Sequence, residues 1–152
     1  MRLRYFSFAL IVFLVAGLDQ LTKYLAVERL TGADPVVIIP DFFNLVLVYN
    51  FGAAFGMFNN HSTSWQTWLF ILATLLAVVI VLHLLRTLPP GRLYTLALGL
   101  ILGGALGNLV DRIRSRAVVD FLDFYVGDWH WPAFNVADIA ICAGAALAII
   151  LL

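Results

Sequence analysis

The sequence predicts an all-α membrane protein of four spanning helices, with a small β-sheet lying at the membrane surface. Of 152 residues, 63% are hydrophobic and only 12% charged, and the mean hydropathy is +1.00. A soluble domain of that size needs far more polar surface to stay in solution. Four apolar runs, at 5–27, 65–85, 93–110 and 134–152, are long enough to cross a hydrocarbon core of about 30 Å, which takes roughly 20 helical residues. In lipid each backbone N–H and C=O must be satisfied within the protein, so these runs are expected as helices. The chain is too short for a second domain, and 1–152 reads as one membrane-embedded bundle.

The first run follows Arg2 and Arg4, as a secretory signal peptide would. No small-residue cleavage site follows it, Leu14-Val15-Ala16-Gly17 stands before Leu18 rather than a cysteine, and apolar character resumes after Lys23. A retained helix is expected. The stretch 36–58 is apolar but interrupted by Pro40, Asp41, Asn44 and Asn50, and its 43–49 segment is β-prone. It predicts short strands at the interface, ending in a turn near Asn50-Phe51-Gly52. An open sheet cannot face lipid, so it must pack on the bundle. With four spans, both termini and the 86–92 loop share one side, which carries Arg2, Arg4, Arg86 and Arg92 and no acid. The other side carries Lys23, Arg29, Arg112, Arg114 and Arg116, so the count of basic residues barely discriminates. The two arginines ahead of the first helix weigh most and place the termini in the cytoplasm. The sequence stops at Leu152, so no basic tail adds to that signal. Trp65, Trp68, Trp129 and Trp131 fall near outer helix ends, where an aromatic belt belongs. Cys142 is the only cysteine, which excludes an internal disulfide, and the zero net charge with no basic stripe argues against nucleic acid.

A charge at the bilayer centre costs roughly 2.5–3.5 kcal/mol on insertion scales, so acids in such a chain are functional candidates. In Asp19-Gln20-Leu21-Thr22-Lys23 the acid and the lysine are four apart and can pair, either to anchor the helix end or to support a site. Gly99, Gly103 and Gly107 form a small-residue ridge suited to close helix packing. Asn108, Asp111 and Arg112 follow on one helical face, Asp111 placed to pair with an arginine. Asp120 falls in what reads as a short outer loop and Asp138 one turn into the fourth helix, on the same face as Asn135. Two carboxylates brought together cannot easily both ionise, which suits them to activating water against a carbonyl. A proton relay and a purely structural pair are the competing uses. Asp120, Asp123, Asp128 and His130 match no zinc or EF-hand spacing, so no metal is expected; Asp123 reads as a solvated loop residue. His83 reads as a packed or interfacial residue and His61 as a loop residue.

Five blocks occur in order: Asp19-Gln20-x-x-Lys23, Asn50-x-Gly52-x-x-Phe55-Gly56, Gly107-Asn108-x-x-Asp111-Arg112, Val119-Asp120-Phe121 and Phe134-Asn135-x-Ala137-Asp138. Together they resemble the bacterial lipoprotein signal peptidases, the type II signal peptidases, over nearly the whole chain. The resemblance implies four spans, cytoplasmic termini, a periplasmic β-sheet and residence in the bacterial inner membrane. It implies an aspartic endopeptidase with Asp120 and Asp138 catalytic, without metal or other cofactor. Asp19, Lys23, Asn50, Gly52, Asn108, Asp111, Arg112 and Asn135 are then expected to line or support the site. The implied partners are a prolipoprotein cut just before a diacylglyceryl-modified cysteine, and membrane lipid; the chain is expected to act as a monomer. The alternative from another class is a small proton-coupled transporter or channel subunit. Such a path needs polar residues continuing to the inner side, where the helices offer only His83, Ser7 and Thr95.

Overall fold

The computed structural model describes residues 2–52 and 65–151. The first helix, α1, runs Arg2–Leu30, 29 residues or about 43 Å at 1.5 Å per residue. It therefore projects beyond a hydrocarbon core of about 30 Å. Strands β1 (Val36–Ile39) and β2 (Phe43–Asn50) follow, then helices α2 (Trp65–Thr87) and α3 (Arg92–Ser115). Strands β3 (Val118–Val126) and β4 (Trp129–His130) lead into the last helix, α4 (Val136–Ile150). Helices α1 and α3 and the 67–87 part of α2 are long and apolar enough to cross a membrane.

Helix α4 is apolar but has only 15 residues, about 22 Å, shorter than the expected 134–152. The cause is local. Phe134 pairs with Leu122 as an isolated β-bridge, and Asn135 is the helix cap, its side chain accepting from the Asp138 N–H while the Asp138 carboxylate accepts from the Asn135 N–H. A second correction concerns Asp120 and Asp123, which the sequence placed in loops. Both lie within β3 and are buried. The sheet has the order β1-β2-β3-β4, and its pairings are antiparallel; in the central one Val48 faces Asp120 and Asn50 faces Val118.

Helix α3 is the centre of the bundle because its glycines admit its neighbours. A Cβ on Gly99 would meet Ile11 at 2.7 Å, one on Gly103 would meet Val15 at 2.7 Å, and one on Gly107 would collide with the Asp19 carboxylate. These three face α1, as the small-residue ridge predicts. Gly104 faces the other way, and a Cβ there would strike the Ala137 carbonyl of α4. At one end of the bundle Phe8, Val81, Leu85, Leu98 and Leu102 pack α1, α2 and α3 together. At the other, Ala26 and Leu30 of α1 pack under Phe121, Leu45 and Leu47 of the sheet. The site lies between that sheet and the ends of α1, α3 and α4.

Candidate active site

Lys23 is 2% exposed, yet its ammonium is fully partnered. It lies 2.9 Å from Asp19 Oδ2, 2.7 Å from Asp111 Oδ2 and 2.8 Å from Asn108 Oδ1. One cation thus joins α1 to α3 through two carboxylates and an amide. The i,i+4 pair expected within α1 is present, but the partner of Asp111 is this lysine and not an arginine. Asp19 also reaches α4, where its Oδ1 accepts the Ala137 N–H at 2.9 Å. Asp111 reaches the sheet, accepting the Val119 N–H at 3.2 Å. Gln20 donates to Asp111 Oδ1 at 2.8 Å and to the Gly107 carbonyl at 3.1 Å. These contacts tie the helices, the strand and this polar core into one frame.

The frame aims two further carboxylates. Asp120 is 2% exposed; its Oδ1 accepts from Asn135 Nδ2 at 2.7 Å and its Oδ2 from Asn50 Nδ2 at 3.0 Å. Asp138 Oδ1 accepts from Asn108 Nδ2 at 2.9 Å, and its Oδ2 accepts the Asn135 N–H at 3.2 Å. Asn135, fully buried, therefore holds both acids, and Asn108 links Asp138 to Lys23. Burial pushes the Asp120 carboxyl up to about 7. The hydrogen bonds from Asn50 and Asn135 oppose that rise, and the charge of Asp138 adds to it.

Both acids line a cavity of about 640 Å³ together with Asn50, Gly52, Asn108 and Arg112. The Gly52 N–H donates to Asn50 Oδ1 at 3.0 Å, which fixes the amide that faces Asp120. Phe55, Gly56 and His61 lie outside the described residues. Arg112 stands with its guanidinium 4.7 Å from the centre of the Phe70 ring and 3.4 Å from the Asn108 carbonyl. This leaves a cation on the cavity wall near the acids. All ten expected site residues thus fall in this cavity or in the frame behind it. The sequence reading missed the apolar walls: Val118, Trp131 and Phe134 on the sheet side, Ile139 and Cys142 along α4. Cys142 is four residues beyond Asp138, a spacing that signals the same helical face.

Asp123, expected on a solvated loop, accepts from Asn44 Nδ2 at 3.3 Å and lies 2.9 Å from His130 Nδ1, away from the cavity walls. Among the described residues no three His, Cys, Asp or Glu side chains gather as a metal-binding group.

The arrangement brings two carboxylates, one of them with its pKa raised by burial to about 7, to a partly apolar cleft beside amide donors and a cation. A family model described as signal peptidase (SPase) II matches residues 11–152. A lipoprotein signal peptidase of Nitratidesulfovibrio vulgaris (strain DP4) is 56% identical over 133 residues, 88% of this chain and 81% of that protein. One from Oleidesulfovibrio alaskensis is 49% identical over 145 residues, 95% of this chain and 93% of its own. A bacterial membrane enzyme solved by the in meso method at 1.9 Å superposes with a TM-score of 0.81 at 31% identity, over 95% of this chain and 90% of that one. Another, solved at 2.3 Å, gives a TM-score of 0.82 at 30% identity, over 95% of this chain and 85% of that one. None of these matches supports the transporter alternative. The chain belongs to the signal peptidase II family.

Proposed function

We propose that the chain is a membrane-embedded aspartic endopeptidase that removes signal peptides from bacterial prolipoproteins, with Asp120 and Asp138 as its catalytic pair. The observation that carries this reading is that Asn135 binds both carboxylates at the wall of one cavity. Asp120, the acid that burial favours in its neutral form, supplies a proton, and Asp138 accepts one. A water bound between them gives a proton to Asp138 as its oxygen attacks the scissile carbonyl carbon, and Asp120 protonates the carbonyl oxygen. When the tetrahedral diol collapses, the C–N bond breaks and Asp138 passes its proton to the leaving nitrogen. Asp120 recovers a proton from the diol hydroxyl, so the pair ends as it began.

Asn50 and Asn135 orient Asp120, and Asn108 orients Asp138. Arg112 and Gly52 meet the substrate backbone from the cavity walls. Asp19, Lys23 and Asp111 act behind them as positioning residues. In the membrane, α4 serves as the fourth span, the termini lie in the cytoplasm, and the sheet and the cavity mouth lie at the periplasmic face. The short α4, with the acids at its N-terminal end, supports a site just below that surface. The substrate's acyl chains can then stay in lipid beside exposed Ile139 while its peptide bond reaches the acids. A monomer suffices, because each group used belongs to one chain. The test is cleavage by purified protein of one prolipoprotein with and without its diacylglyceryl group. The lipidated form is expected to be cut before the modified cysteine and the bare form poorly; equal rates would overturn this docking.

A further inference from the structure

At the end of the bundle away from the acids, a second cavity of about 420 Å³ opens between the start of α1 and the turn joining α2 to α3. Arg4 and Arg92 line it with Ser7, Thr95 and the apolar Leu3 and Ile11. Arg4 donates from Nη1 to the Leu88 carbonyl at 3.1 Å, but its Nε and Nη2 are buried and find no hydrogen-bond partner among the described residues. Unmet donors on a charged group are costly, so a turn of the Arg4 side chain that opens them to the cavity and to an acceptor there is favoured. Among the described residues, no Asp or Glu side chain pairs with Arg4 to serve as that acceptor. The sequence has no Asp or Glu before Asp19, and none between Asp41 and Asp111, so neither α2 nor the turn supplies one. The α3 N-terminus adds to the positive field: its cap is Gly91, which has no side chain to satisfy the first amides.

We infer that this cavity is a binding site for the phosphate-bearing headgroup of an anionic glycerophospholipid. The charge order fits a lipid rather than a free ion. Arg4, Ser7 and Ile11 lie at i, i+3 and i+7 on one face of α1, so the lining passes from cationic through hydroxyl to apolar with depth. A phosphate sits against the guanidinium, and an acyl chain continues along Ile11 into the bilayer. Leu3, 77% exposed, covers the outer rim. Guanidinium presents planar paired donors to phosphate oxygens, which is the strongest such match a side chain offers.

The test is native mass spectrometry and thermal unfolding of the full chain in detergent, titrated with phosphatidylglycerol, phosphatidylcholine or inorganic phosphate. Phosphatidylglycerol is expected to bind and to raise the unfolding temperature, with phosphatidylcholine weaker by about tenfold or more, the scale of a charge-assisted contact. Inorganic phosphate at matched concentration is expected to do neither. Arg4→Gln and Arg92→Gln each weaken phosphatidylglycerol, and Ser7→Phe, which fills the cavity without changing charge, abolishes the selectivity. Arg2→Gln removes an equal charge outside the cavity lining and leaves binding intact. Equal binding of the two lipids, equal loss in Arg2→Gln and Arg4→Gln, or full binding by Ser7→Phe would each overturn the site. A phosphate effect equal to that of the lipid would overturn the headgroup assignment. If Arg4→Gln fails to fold, Ser7→Phe and Arg92→Gln still decide.

Discussion

Replacing Lys23 with methionine keeps most of its volume and removes its charge. Among the described residues that charge is the only cation bonded to Asp19 and Asp111, which are 0% and 7% exposed. Three short contacts, of 2.9, 2.7 and 2.8 Å, vanish together. Breaking a buried ion pair by removing one partner typically destabilises by 3–5 kcal/mol, and here two carboxylates share the lost partner, so about 4 kcal/mol is a conservative expectation. For a chain of this size that is a drop on the order of 10 °C in unfolding temperature. Cleavage should fall too, because Asn108 loses the contact that fixes its amide against Asp138. The assay is thermal unfolding of purified Lys23→Met in detergent, beside the double variant Lys23→Met/Asp111→Asn. Removing one of the stranded carboxylates should restore about 1–3 kcal/mol of the loss. A single variant within about 1 kcal/mol of wild type, the scale of an exposed ion pair, would refute the buried frame.

Further expectations follow from the structure. Asp120 has its carboxyl raised from 3.8 to about 7, so cleavage should decline as pH rises through about 7, where Asp120 loses the proton it donates. The sign for stability is the same: a raised folded value contributes most below 3.8 and is lost toward 7, so wild type should unfold more readily at pH 7.5 than at about pH 5, and Asp120→Asn should lack that slope. A pH–rate profile with no decline above pH 7 would contradict the role given to Asp120. Gly104→Ala places a Cβ against the Ala137 carbonyl and should force α3 from α4, costing about 1–3 kcal/mol and most of the cleavage activity. Gly17→Ala, whose Cβ meets nothing within 4 Å, should instead stabilise α1 by roughly 0.5–1 kcal/mol, and paired unfolding and activity measurements separate the two.

Much of the fold is legible because hydropathy is a local property. The three long helices and the strands of 36–50 emerge from runs and interruptions in the sequence alone. What failed was local pattern overruled by tertiary pairing. Phe134 extends an apolar run, yet its backbone joins β3, so α4 starts later than hydropathy suggests. The 118–126 segment is rich in β-branched and aromatic residues, a strand signal obscured by its two aspartates, which point into hydrogen-bonded positions rather than water. The residues gathered at the candidate site were legible in the sequence, but their wiring was not. The spacing of Asn135 and Asp138 places them on one face, and that of Asp19 and Lys23 predicts a helical pair, though the role of Asn135 as a helix cap emerged only from the fold. That one lysine would also bind Asp111, 88 positions along the chain, is a long-range fact no spacing carries. The apolar cavity wall was invisible for the opposite reason: in a chain this hydrophobic, Ile139 and Cys142 look like any other membrane residues.

The account's central claim is that Asp120 and Asp138 do the chemistry, and single-turnover cleavage of a lipidated prolipoprotein by Asp138→Asn tests it most directly. Asn keeps the size of the side chain but cannot accept a proton from water near neutral pH. Asp123→Asn is the comparison, the same change at a buried carboxylate that does not line the cavity. Provided both variants insert and purify as wild type does, Asp138→Asn should lose cleavage by at least about 10³-fold, at the scale of a general base, while Asp123→Asn retains most of it. Asp120→Asn should match Asp138→Asn. Near wild-type cleavage by folded Asp138→Asn would contradict the account.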